Sequence, residues 1–600
     1  MDEAAAAHDR GGSLPSFTAE SFARPPAQDC DMIMQGGITS GLVYPYAILE
    51  IATRYRFRSI GGTSAGAIAA AFAAAAEYGR QAGRPEAFLT LKHYADALPE
   101  ILLTLFQPSP ALAPAANWLK SFALSHRPSG SLAARLLSPR LRPLLLAVVG
   151  LVLGAVLAAI LLAASGANGW GMALAAVLGG LAGLLLLPLG WLAWTMLLPL
   201  YHAAKALPSA QFGFCTGKTQ PGNAHPALTD WIHRALQHIA FGDPEHPTPL
   251  TFGDLRLAGA APVRLQMVTT NLSMRRPHTL PALGLKARFK ESAWRALFPD
   301  PVLDFMVAKT GADGEGCVPF PDEDSLPVVV AVRMSLSYPL LFTAVPLEVE
   351  DAQAMAPAPA GEGAAAPRRR TALFSDGGIS SNFPIHLFDA PLPSRPTFAL
   401  SLGRLPPGAE AVRRAVLQTG PVDGAGVPVE EISSLGQFGW QILGAATDWQ
   451  DQLLSELTGQ RERIARIYLK DGEGGLNLSM SPSQSEALMG FGAEAGRLFT
   501  GGAFDFDAHR WLRLVGLYKT LDAQMAALVA KWEDGFDQWQ TRHLAATARS
   551  SPLTPTDRAK MINDLRALMG SAKSNGLVSP PIATTKFPDK LGKMRITPEF

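Results

Sequence analysis

Short apolar runs that end in glycine punctuate the first part of this chain. Asp31-Met32-Ile33-Met34 reads as a buried strand that runs straight into Gln35-Gly36-Gly37-Ile38-Thr39-Ser40-Gly41. Residues 42–55 carry helical composition and lead to a second strand-like run, Phe57-Arg58-Ser59-Ile60, which ends in Gly61-Gly62. An Ala-rich segment beginning at Ala65 then favours helix strongly. Strand, glycine loop, crossover helix, strand, helix is a βαβα pattern, and such crossovers build a parallel sheet of α/β class. Functional loops in such sheets gather at the carboxyl ends of the strands.

Further along, residues 224–241 form an amphipathic helix with Trp231, Ile232, Leu236 and Ile239 on one face. Residues 265–272 and 399–403 read as strands, and so do 328–332, leading into a packed turn at 333–339. Residues 352–370 are an Ala/Pro-rich low-complexity loop with three arginines, after which Thr371-Ala372-Leu373-Phe374-Ser375 is a strand ending at Asp376. Beyond residue 429 the pattern is helical over 430–468, 484–499 and 506–546, and the Pro-spaced stretch from 550 drapes over the surface. The domain reading is a disordered leader at 1–27, a catalytic domain in two parts at 28–100 and 223–427, an insertion at 101–222, and a helical C-terminal region at 428–600.

The insertion changes the picture. No Asp or Glu occurs between residues 101 and 229, and no charged residue at all between 143 and 204. Residues 143–164 make an apolar helix about 33 Å long, and 170–200 make a second, with a turn at Ser165-Gly166-Ala167-Asn168-Gly169 between them. The expectation is a transmembrane hairpin, flanked by Arg127, Arg135, Arg140 and Arg142 before it and by Lys205 and Lys218 after it. Both basic flanks place the catalytic domain on the cytoplasmic side of the bilayer. Composition agrees: 17% charged and 48% hydrophobic residues are lean in charge. A formal net charge of +1 excludes bulk electrostatic binding to nucleic acid. Three scattered cysteines, Cys30, Cys215 and Cys317, set no disulfide framework, and no spacing suits a metal, so no cofactor is expected.

The candidate chemistry sits at glycines. In Gly62-Thr63-Ser64-Ala65-Gly66 a serine lies between small residues at a strand-to-helix turn, the pattern of a nucleophile elbow. The Gly36–Gly41 loop at the first strand's end can present backbone N–H groups, from Gly36, Gly37 and Ile38, to an oxyanion. A serine hydroxyl needs a base to take its proton. Asp376, followed by Gly377 and Gly378, takes it directly in one reading, and a histidine such as His386 intervenes in the other. Chain order favours the direct dyad, because Ser64 comes after only the second strand.

These three blocks resemble those of the patatin-like phospholipases. The resemblance implies a parallel-sheet core with helices on both faces, a Ser64–Asp376 dyad, a glycine-rich oxyanion loop, and an acyl-ester lipid as substrate, most often a glycerophospholipid. It departs at Gln35, which stands where the family carries a glycine, and at Thr39-Ser40, where the family often has a basic residue. The combined expectation is a hydrolase of lipid esters of phospholipase A or lysophospholipase type, held at the bilayer by its hairpin. Two other readings stay open: a membrane-anchored lipid-binding or scaffold protein with little turnover, and an esterase with a Ser-His-Asp triad.

Overall fold

The computed structural model describes residues 14–23, 26–37, 39–116, 142–164, 169–192, 198–257, 261–311, 316–355, 367–405, 413–417, 432, 435–470, 472–475, 477, 480–539 and 554–574. Thirteen strands are seen among the described residues. The first two are β1 (Gln28–Met34) and β2 (Tyr55–Gly62), followed by β3 (Gly213–Cys215), β4 (Arg264–Asn271), β5 (Arg276–Leu280), β6 (Ala287–Lys290) and β7 (Cys317–Pro319). Then come β8 (Leu340–Phe342), β9 (Val345–Met355), β10 (Pro367–Ser375), β11 (Thr397–Arg404), β12 (Ala415–Leu417) and β13 (Ile464–Leu469). Eleven of them form one sheet in the order β12-β13-β11-β1-β2-β4-β10-β9-β6-β7, with β5 paired to β4, while β3 and β8 pair separately.

The centre of the sheet, β13-β11-β1-β2-β4, is parallel. Its connection from β1 to β2 is the Tyr44–Ala52 helix, and β2 leads directly into the Ala65–Gln81 helix. Both helices lie on one face, where Met32 and Met34 of β1 join the main core. Ile33, between them, points the other way and packs with Phe383, Ile385, Ala399 and Ile464. This alternation is what a pleated strand buried on both faces requires.

The sheet is mixed, and this corrects the expectation of a parallel core. β4 turns back into β5 across four residues, and β9 and β10 pair antiparallel, as do β10 and β4. The four-residue connection from β4 to β5 permits only an antiparallel pair. Residues 328–332 are also no strand. They open the Val328–Ser335 helix after Pro327, every residue of which is buried. A short apolar run has the same pattern in a buried helix as in a buried strand, and here the surroundings decided it. The opposite happened at β13, which lies inside the region read as helical and extends the parallel sheet beyond β11.

The transmembrane hairpin is the larger correction. Among the described residues no helix is long and apolar enough to cross a membrane. The two-span reading, and with it the placement of the catalytic domain on the cytoplasmic side of a bilayer, is withdrawn. The charge-free run contains the helices Arg142–Ala164 and Gly169–Leu192, which lie against each other through their glycines. A Cβ at Gly150 would fall 2.1 Å from the Gly183 carbonyl oxygen, and one at Gly154 would fall 2.0 Å from that of Gly179. The glycines of this run thus permit close helix-to-helix approach, while larger apolar residues such as Leu157, Leu161 and Val177 stay exposed. The expected turn residues 165–168 lie outside the described residues, as do Arg127, Arg135 and Arg140.

Two outlying segments join the core. Of the expected leader, residues 14–23 are described, and Phe22 is fully buried, stacked on Phe88 at 4.9 Å between ring centroids. From the C-terminal region, the Pro482–Thr500 helix lies against the crossover helix Tyr44–Ala52 through two glycines. A Cβ at Gly492 would sit 1.8 Å from the Val43 carbonyl oxygen, and one at Gly496 would sit 2.9 Å from that of Ala47. Gly492→Leu is therefore expected to force this helix outward at a cost of about 1–3 kcal/mol or more. Thermal unfolding should show a lowered Tm; an unchanged Tm would mean that the C-terminal region adds no stability to the sheet.

Candidate active site

Ser64 stands between β2 and the Ala65–Gln81 helix with φ 54° and ψ −126°, a backbone conformation that side-chain-bearing residues seldom adopt. The turn closes only because its flanking positions lack side chains. A Cβ at Gly62 would fall 2.4 Å from the Gly66 carbonyl oxygen, and one at Gly66 would fall 2.5 Å from the Met34 oxygen and 2.7 Å from that of Gln35. Glycine at both places thus lets the elbow sit directly on the end of β1. The Ser64 N–H donates to Ser335 Oγ at 3.3 Å, and Thr63 Oγ1 donates to the Asn382 carbonyl at 2.9 Å. Ser64 itself is buried, with 4% of its surface exposed.

Asp376 arrives from the other side. β4 runs parallel to β2, with Met267 opposite Gly62, and β10 runs back along β4 with Ser375 opposite Thr270. The residue after Ser375 is therefore returned to the level of the elbow. Its peptide is clamped: Asp376 N–H donates to the Ser337 carbonyl at 3.0 Å, and its own carbonyl accepts from Thr270 Oγ1 at 2.8 Å. Gly377 has no room for a side chain, since a Cβ would lie 2.0 Å from the Val268 oxygen. The Gly378 N–H donates to Asp376 Oδ1 at 2.7 Å, which leaves Oδ2 buried and without a hydrogen-bond partner.

Burial drives the Asp376 carboxyl up to about 7, opposed by the neighbouring Ser64 hydroxyl and by the Gly378 N–H. Ser64 is close enough to exert that pull, yet no formed hydrogen bond reaches Oδ2.

The glycine loop at the end of β1 is held rather than free. Gln35 fits its place by tying the loop down: its Oε1 accepts from the Leu402 N–H at 2.8 Å, and its carbonyl accepts from Tyr44 OH at 2.6 Å. Gly36 N–H donates to the Asn382 carbonyl at 2.7 Å. Of the three expected oxyanion donors, Gly36 is thus committed to the scaffold, Ile38 lies outside the described residues, and Gly37 keeps an N–H with no bonded partner among the described residues. His386 is exposed on the segment after Asp376. The cavity that opens at Ser64, ≈ 90 Å³ in volume, is apolar, and among the described residues no histidine lines it. Among the described residues no group of three His, Cys, Asp or Glu side chains is placed to hold a metal ion.

No family model matches the chain. The RpoH suppressor of Rhizobium meliloti (strain 1021) is 33% identical to it over 650 residues, taking in 96% of this chain and 100% of that protein. The chain belongs to the RpoH suppressor family. Two solved structures are similar to it at long range. VipD from Legionella pneumophila is 12% identical, with 94% of this chain and 90% of that one covered, at a TM-score of 0.28. The ExoU–SpcU complex from the type III secretion system of Pseudomonas aeruginosa is 17% identical, with 94% and 81% covered, at a TM-score of 0.21. Likeness at that level carries no argument about activity.

In this RpoH suppressor relative, several residues that hold the site left little trace in the sequence. Thr269 Oγ1 donates to the Ser375 carbonyl at 2.9 Å, beside the Thr270 contact above. Ser337 takes the Ser375 hydroxyl on its carbonyl at 2.7 Å. Asp451, from the Leu435–Ser455 helix, accepts the Phe383 N–H at 2.7 Å and so fixes the segment that carries Asn382. Thr269, Thr270 and Ser337 lie in stretches that looked like plain scaffold. Asp451 had no motif to mark it at all.

A stability signature follows from the raised Asp376 carboxyl. An acid whose value in the fold stands above its unfolded value of 3.8 favours the fold while protonated. That contribution is fully present below 3.8 and is lost as pH rises through about 7. Asp376→Asn, neutral at every pH, should therefore raise Tm relative to wild type above about pH 7 and not in acid. Parallel Tm curves for the two proteins would show that the carboxyl is not held in this way.

Proposed function

We propose that the protein is a serine acyl hydrolase that cleaves acyl-ester lipids through Ser64 and Asp376. The observation that carries this reading is the unbonded, buried Oδ2 of Asp376 beside a serine held at φ 54°. Strain at such a position needs a reason, and presenting a nucleophile supplies one. Ser64 Oγ attacks the ester carbonyl while Asp376 accepts its proton. The tetrahedral oxyanion is met by the Gly37 N–H and by the N-terminal end of the Ala65–Gln81 helix, whose first N–H groups lack partners within the helix. Each such donor lowers the barrier by about 3 kcal/mol. Asp376 returns the proton to the leaving alcohol, and the acyl group stays on Ser64 until a water, deprotonated in the same way, releases it as a fatty acid.

The direct dyad is preferred to a triad because, among the described residues, no histidine lines the cavity at Ser64. The resemblance of the Gly36–Gly41, Gly62–Gly66 and Asp376–Gly378 blocks to patatin-like phospholipases points to the same chemistry. The apolar cavity favours a hydrocarbon acyl group.

Hydrolysis of a long-chain ester should fall by roughly 10²–10⁴-fold in Asp376→Asn, more in Ser64→Ala, and little in His386→Gln. Because the base works only when ionised, kcat/KM of wild type should rise with pH, with its midpoint near 7. Near-normal turnover in Ser64→Ala would remove the serine from the chemistry. A profile flat through neutrality would remove Asp376 as its base.

A further inference from the structure

The cavity at Ser64 has a defined length. On one side it is lined by Ala65, Ile68, Ala69 and Phe72, a single face of the helix that Ser64 begins. On the other side lies the helix Ala87–Ile101, joined to the first by a short turn and therefore antiparallel to it. Its Leu98 lines the end nearer Ser64, and its Leu91 and Tyr94 line the far end beside Phe72. Trp231 closes that far end: its ring lies 5.7 Å from Phe72 and 5.8 Å from Tyr94, edge-on to the latter. The Tyr94 hydroxyl is engaged by His238 Nδ1 at 3.3 Å, so the stop is an aromatic wall without a charged group.

Building on the acyl-hydrolase reading, we infer that this slot measures the acyl chain, and that the Phe72–Tyr94–Trp231 wall sets a medium-length limit. Eight helical residues separate Ser64 from Phe72, which is a rise of about 12 Å and the length of roughly eight to ten extended carbons. Among the described residues no charged side chain lines the slot, so a saturated chain meets apolar surface along its length. Each methylene that enters leaves water, and reactivity climbs about fourfold per carbon while room remains. Beyond the wall the chain must bend back toward solvent, and the gain stops. Phe72 is the residue whose size fixes the stop; Ala69 sits midway, where a larger side chain would shorten the slot.

A series of alkyl fluorophosphonates of increasing chain length tests this, with labelling rates read by mass spectrometry on wild type, Phe72→Ala and Ala69→Phe. The expected result is a rate that rises to about eight to ten carbons in wild type and then levels or falls. Phe72→Ala should move the break to longer chains and Ala69→Phe to shorter ones, so the inference does not hang on one variant folding well. Labelling of Ser64 at a rate independent of chain length would overturn the inference and leave the nucleophile standing. So would the same break in all three proteins. No labelling of Ser64 by any member of the series would overturn the acyl-hydrolase reading itself, and the chain-length limit with it.

Discussion

The site depends on one close approach of backbone to backbone. Gly66, in the first turn of the helix after β2, lies where any Cβ would strike the carbonyl oxygens of Met34 and Gln35 at the end of β1. That contact sets the elbow directly against the glycine loop, and it holds the Ser64 peptide at a positive φ. The elbow is fastened further by bonds from separate parts of the chain: Ser335 on its N–H, and the Asn382 carbonyl on the Thr63 hydroxyl. Because the Asn382 carbonyl also takes the Gly36 N–H, the segment after Asp376 binds the glycine loop and the elbow into one unit. A change at any of the three strands therefore reaches the others through a few short bonds.

The acid shows what such packing costs. A carboxyl that accepts one backbone N–H and is otherwise cut off from water is poorly stabilised as an anion. The rest of the fold bears that cost through the clamps of Thr269, Thr270 and Ser337 on the Ser375–Asp376 peptides. In the acyl-hydrolase reading, the stability given up here is set against a base whose proton affinity lies near neutrality, where proton exchange with a serine during reaction is easiest. Residues that position the acid are thus hydroxyl and backbone groups, which add hydrogen bonds to its main chain without adding charge beside its side chain.

How much of this was legible in the chain depended on how local each constraint was. The elbow turn was readable because its steric demand falls on five consecutive residues, Gly62 to Gly66, whereas Asp376 stood out only through the resemblance of its Asp-Gly-Gly block, since the passage of Gly377 under the Val268 carbonyl leaves no local pattern of its own. The parallel centre of the sheet followed from strand–helix alternation. Elements governed by distant partners were not readable. Val328–Ser335 became a helix although its valines suit a strand, and β13 became a strand within a helical region because β11 offered an open edge. The commitment of the Gly36 N–H rests on Asn382, far along the chain, and no pattern near Gly36 announces it. The charge-free run misled for a different reason. Ala and Gly serve close helix contact as well as lipid contact, and the glycine-to-glycine approaches of Gly150 with Gly183 and Gly154 with Gly179 belong to the first use.

The central claim is that Ser64 carries the acyl group between the two halves of the reaction. Its most direct test is to mix the enzyme with excess p-nitrophenyl acyl ester, quench in acid within the first turnovers, and map the trapped acyl group by peptide mass spectrometry. The account predicts one acyl ester, on Ser64, formed with a burst of nitrophenol that matches the enzyme present. Steady hydrolysis with no acyl group on Ser64, or with the group on another residue, would contradict it.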